Sequence, residues 1–145
     1  MDDQSNRGSE REKKRSLRRY RRNLDCISRL EEKREILDQR ITTIRGSNLS
    51  GMPRGGVPVT LDDLLSDKDD LDRRIKRLKA KSRELKRSTL EEIDSLDDPR
   101  YCEVLEAYFI DGLSISEIAD QSGYTERHVY NLYKAAIRLL TALNQ

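Results

Sequence analysis

Arg127, Tyr130, Asn131 and Lys134 stand at positions i, i+3, i+4 and i+7. In a helix that spacing puts all four on one face. Guanidinium, phenol, amide and ammonium groups in such a row donate hydrogen bonds and positive charge along a line that fits a DNA groove. The chemistry is recognition rather than bond making. The chain has one histidine, no metal-ligand cluster, no Gly-rich phosphate loop and no nucleophile–base constellation, so nothing equips it for catalysis. The expectation is a binding protein that is not an enzyme and needs no cofactor or metal.

Those four residues need a scaffold. Val129, Leu132, Ala136, Ile137 and Leu140 recur at helical spacing on the other side of the same segment. Thr125 is placed to N-cap that helix. Upstream, Ser114 and Glu117 have the spacing of a capping box, and Ile115, Ile118 and Ala119 form a narrow apolar face. Gly123 lies between the two segments, where the chain must turn and a positive φ is tolerated. Gly112 to Leu140 thus reads as a helix-turn-helix. A plain helical hairpin that touches no nucleic acid is the competing reading.

Of the 145 residues, 34% are hydrophobic and 39% charged, with no tryptophan and a single phenylalanine, Phe109. One core spanning the whole chain is not expected; long exposed helices with one small core are. No apolar run approaches the length of a membrane span, and no signal peptide is visible. Cys26 and Cys102 lack metal or redox spacing, which suits a reduced, intracellular compartment. The net charge is +2, unevenly placed. Residues 1–22 hold nine Lys/Arg against four Asp/Glu, whereas residues 99–145 hold four against six. That slight acidity counts against a strong electrostatic footprint from the C-terminal segment alone.

The expected class is all-α: a long N-terminal helical hairpin or coiled coil, then a small C-terminal helix-turn-helix domain. Residues 1–10 lack apolar periodicity and are expected to be a disordered tail. Leu17, Tyr20, Leu24 and Ile27, then Leu30, Leu37, Ile41 and Ile44, predict one helix over about 11–45. Glycines and prolines in 46–59 predict a loop. It is either a simple connector or a recognition loop in which Arg54 meets a phosphate. Thr60 caps a helix over about 61–94, where Leu61, Leu64, Lys68, Leu71, Ile75, Leu78, Ser82 and Leu85 keep a three-four spacing. The dense charges between them read as a solvated face. Narrow seams on two long helices are buried most economically in an antiparallel hairpin, with self-association as the competing solution. Asp98 and Pro99 suit the start of a third helix, bearing Tyr101, Val104, Leu105, Tyr108, Phe109 and Ile110. The expected division is 11–95 for the hairpin and 96–145 for the helix-turn-helix domain.

From about Leu96 to Leu143 the chain resembles region four of bacterial sigma factors. The resemblance rests on Asp111-Gly112-Leu113-Ser114, Glu117-Ile118-Ala119, Gly123-Tyr124-Thr125, then Val129, Leu132, Ala136 and Leu140. Most of the chain, with its Ser50–Gly56 loop, also resembles phage and prophage regulators of late transcription of the ArpU and RinA type. The resemblance implies binding of double-stranded promoter DNA through the helix over about 125–140. Glu126, Arg127, Tyr130, Asn131 and Lys134 then occupy groove-facing or backbone-facing places. Arginine can pair with guanine and asparagine with adenine; lysine and tyrosine suit phosphates. Thr125 joins this set at the helix start. His128 either reaches a phosphate, faces solvent or packs, and Tyr133 is ambiguous in the same way. The basic run of Arg18, Arg19, Arg21 and Arg22 either adds phosphate contacts or is a solvated helix end. No segment resembles the sigma region that melts promoters.

The leading expectation is a sequence-specific transcriptional regulator, phage-encoded and homo-oligomeric with a dimer favoured, whose hairpin serves assembly or partner contact. A sigma-like protein that engages host RNA polymerase with little DNA affinity is one alternative. A small terminase-like DNA-packaging subunit is another. No membrane partner is expected.

Overall fold

The computed structural model describes residues 2–47 and 60–144. Among them the chain is all-α, with six helices and no strand: α1 Asp2–Leu17, α2 Arg19–Ser47, α3 Leu61–Asp94, α4 Pro99–Phe109, α5 Ile115–Ser122 and α6 Glu126–Leu143. No helix among the described residues is long and apolar enough to cross a membrane.

The N-terminal half departs from expectation in three ways. The stretch 2–10, expected to be disordered, is helical from Asp2. It has no apolar periodicity because almost nothing in it is buried, but it continues a helix anchored further on by fully buried Leu17. Extending an anchored helix avoids the cost of nucleating one. The single helix expected over 11–45 is bent at Arg18, which lies outside both α1 and α2. Backbone hydrogen bonds still cross the bend, from Arg18 N–H to Lys14 O and from Arg22 N–H to Arg18 O, both 3.0 Å. Helix α2 also runs on through Gly46 and Ser47, into the expected loop. The rest of that loop, 48–59 with Arg54, lies outside the described residues.

The chain divides into two compact units: Met1–Asn23 with Ser82–Gln145, and Leu24–Lys81. This grouping differs from the expected division near residues 95–99. Leu17 and Ile93 were expected to belong to the hairpin and Leu96 to the helix-turn-helix domain. All three are buried in one cluster with Val104, Leu105, Phe109, Val129, Ile137 and Leu140. The helix-turn-helix region therefore shares its core with both ends of the expected hairpin.

In the Leu24–Lys81 unit, α2 and α3 run antiparallel. Partner numbers fall along α3 as they rise along α2: Glu31 with Lys79, Arg34 with Asp72, Asp38 with Lys68. These pairs are half-exposed, so each is worth only about 0.2–1 kcal/mol. The apolar seam holds the unit. Ile27, Leu30 and Ile75 form one buried cluster, and Leu37, Ile41 and Leu64 another. Thr60 caps α3 as expected, its hydroxyl accepting from Asp63 N–H at 3.2 Å while the Asp63 carboxylate accepts from Thr60 N–H at 3.3 Å.

In the other unit, α4, α5 and α6 pack on one another and α1 lies against α6. Phe109, Leu105, Val129, Ile137 and Leu140 are essentially inaccessible. Asn23 and Ser82 form a buried polar pair, Nδ2 to Oγ 2.6 Å.

Candidate nucleic-acid interface

Local chemistry fixes the start of every helix that builds the interface. Asp98 N-caps α4, its carboxylate accepting from Arg100 N–H at 2.9 Å, with Pro99 in the first turn. The Arg100 side chain also donates to it at 2.9 Å. These hydrogen bonds hold the Asp98 carboxyl below the usual carboxylate range. Cys102, one turn on, lies against Leu96 O at 3.3 Å. Burial pushes its thiol up, which favours the protonated form.

Three residues beyond the end of α4 the chain turns at a left-handed residue, Gly112, with φ +74°. That turn returns Leu113 N–H to Ala107 O at 3.0 Å. A side chain at 112 would also meet the Arg21 guanidinium, whose atoms lie 2.5 Å from where its Cβ would sit. Arg21 is held there by donating to Ile110 O at 3.4 Å.

The capping box read from Ser114 and Glu117 is present. Ser114 Oγ accepts from Glu117 N–H at 3.1 Å, and the Glu117 carboxylate accepts from Ser114 N–H at 3.4 Å. Helix α5 closes on Gly123, left-handed at φ +76°, whose N–H donates to Ala119 O. Tyr124 and Thr125 complete the turn. The Thr125 hydroxyl accepts from His128 N–H at 3.1 Å and starts α6.

Helix α6 is two-faced. Val129, Leu132, Tyr133, Ala136, Ile137, Leu140 and Thr141 are buried. Arg127, His128, Tyr130, Asn131 and Lys134 are all exposed, as is Thr125. Among the described residues, Arg127 and Asn131 make no side-chain hydrogen bond or ion pair, so both are free to meet an outside partner. Lys134 Nζ stands 5.0 Å from the Tyr130 ring centroid, a cation–π contact that steadies both tips. His128 meets Tyr124 edge-on at 4.8 Å.

Three residues, Tyr133, Lys14 and Arg18, support this face without belonging to it, and sequence reasoning resolved none of them in that role. Tyr133 is buried, stacked on Tyr130 at 6.5 Å and tilted on Tyr108 at 4.9 Å. It props the exposed Tyr130 ring from below. Burial raises its phenol above the ordinary tyrosine value, while Arg18 pulls the other way. Lys14 lies over the same ring at 5.8 Å. The spacing of 130 and 133 hints at the stack, but no local pattern could pair Lys14 or Arg18 with Tyr133.

The basic run at 18–22 is split by the fold. Arg18 engages Tyr133 and Arg21 the end of α4, both half-buried, whereas Arg19 and Arg22 are exposed. Arg18 and Arg21 thus serve as internal braces, and the run is not one uniform phosphate patch. Among the described residues no group of His, Cys, Asp and Glu could hold a metal.

The two-faced α6, its glycine turn and the capped α5 define an all-α protein whose distinctive surface is one polar helix face. Residues 47–141 match the model of a family described as a protein of unknown function (DUF1492), and the chain belongs to that family. Comparisons with curated proteins and with solved structures gave no match.

Proposed function

We propose that the protein is a sequence-specific DNA-binding transcriptional regulator, phage-encoded and acting in the cytoplasm of a bacterial host. Helix α6 enters the major groove of promoter DNA. The observation that carries this reading is the joint exposure of Arg127, Tyr130, Asn131 and Lys134 on α6, above a fully packed opposite face. Arg127 and Asn131 have the donor geometry to read guanine and adenine edges. Lys134, Tyr130 and His128 set the register on phosphates. Thr125 adds its hydroxyl at the helix start. The likeness of 96–143 to sigma region four, and of the longer chain to late phage regulators, supports the same role. The hairpin of α2 and α3 serves a homodimer, whose paired half-sites make up for the sparse charge of α6.

Selection from a randomised DNA pool, followed by footprinting, tests the reading. Arg127→Ala and Asn131→Ala should each weaken the selected site by about 1–3 kcal/mol while the helical content stays unchanged. Identical footprints in both variants would overturn it.

A second reading rests on a different observation. Leu139 and Leu143, four residues apart on α6, are 45% and 60% exposed, and residues 99–145 are slightly acidic. That combination suits contact with host RNA polymerase and little DNA affinity. Polymerase capture lost in Leu139→Ser, with no selected DNA site, would favour it.

A further inference from the structure

Residues 73–81 of α3 carry six basic side chains, Arg73, Arg74, Lys76, Arg77, Lys79 and Lys81, and no acidic one. All six are exposed. The acids of the helix flank this stretch, at Asp62, Asp63, Asp67, Asp69, Asp70 and Asp72 before it and at Glu84, Glu91, Glu92 and Asp94 after it. Helical spacing places Arg73 and Arg77 opposite the buried Ile75, with Lys76 on one flank and Arg74 and Lys81 on the other. Among the described residues only Lys79 of the six has an ion-pair partner, Glu31 at 3.3 Å.

A face that merely keeps a helix in water mixes its signs, as α2 does. Here like charges stand three and four residues apart, an arrangement that disfavours the helix. The remedy is an external polyanion. We propose that this stripe binds the sugar–phosphate backbone of a nucleic-acid duplex without reading its sequence. Three of the six residues are arginines, whose planar forks suit phosphate oxygens. A lipid surface fits less well, because membrane-bound basic helices need an apolar face to insert. At this level α3 has committed Leu71, Ile75 and Leu78 to α2. The inference does not depend on α6 being a reader of bases.

The test uses the full chain and a short random-sequence duplex, titrated by fluorescence anisotropy at several salt concentrations. In the triple variant Arg73→Gln, Arg74→Gln, Arg77→Gln, the slope of log K against log salt should become shallower by about 2–3. The triple variant with lysine at the same positions should keep the parental slope. Arg127→Ala with Asn131→Ala should lose preference for a selected site and still show most of the random-duplex slope. If the α6 variants are neutral while the glutamine variant flattens the slope, the stripe stands and the α6 reading falls. An unchanged slope in the glutamine variant overturns the proposal. So does an equal loss in the lysine variant, or binding to phosphatidylserine vesicles with none to duplex.

Discussion

At the residue scale the two left-handed glycines differ in what surrounds them. At Gly123 a side chain would meet open space, so Gly123→Ala pays only for the backbone conformation, about 1–2 kcal/mol. At Gly112 the same cost is joined by displacement of the Arg21 guanidinium from Ile110 O. Gly112→Ala should therefore melt lower than Gly123→Ala, and in an Arg21→Ala background the gap should close. Thermal melts of the four variants check this. Asp98 gives a pH prediction. Its carboxyl is held below the ordinary value by Arg100, so its contribution is present above the unfolded value and is lost as pH falls through the lower folded one. Asp98→Asn, which can still cap, should lose part of the acid-side decline in stability on an acid titration. Tyr133 works at the other end of the scale. Burial raises its phenol, so its contribution is whole below the usual tyrosine value and disappears as alkali ionises it. Ultraviolet titration of Tyr133→Phe should lack the last tyrosine to ionise. The caps at Ser114, Thr125 and Asp98 were legible because each is written within three residues. Arg21 was not, since its acceptor lies 89 positions away.

At the element scale α3, α4, α5 and α6 could be read closely from sequence. Each begins at a capping residue, and α4 and α5 are followed by a glycine in the turn. The start of α1, residues 2–10, could not be read, because its reason for folding is distant. Leu17 is wholly buried in the cluster that also contains Ile137 and Leu140, and Lys13 pairs with Glu92. A polar helix of this kind carries no periodic signal and is ordered by what it lies against. Leu17→Ala should cost about 2–5 kcal/mol in urea denaturation. Ile36, 59% exposed on α2, should tolerate alanine within about 0.5 kcal/mol. Equal effects of the two substitutions would deny α1 its place in the core.

At the scale of the whole molecule, the all-α class and the antiparallel seam were legible because apolar spacing records them. Every seam position named in α3, from Leu61 through Leu85, is buried or half-buried. The division into units was not legible. Spacing shows which side of a helix is inward but not which core it enters, and Leu17 and Ile93 entered the one built around Phe109. A fragment of residues 96–145 should then be much less stable than the full chain, with weaker helical circular dichroism and early melting. The polar face of α6 was legible as a set of residue types. Its supports, Tyr133, Lys14 and Arg18, were not, because they come together only in three dimensions.

The seating of α1 against α6 also ties the protein to its own synthesis. Helix α1 leaves the ribosome long before α6, and Leu17 finds Ile137 and Leu140 only once α6 has emerged. A nascent chain arrested before residue 126 should leave Leu17 open to solvent and sensitive to protease near α1, and release of the complete chain should close it. Protection of α1 in the arrested chain would refute this. A truncated product would then not merely lack α6; it would display an unsealed core, a mark by which cellular quality control recognises an unfinished protein.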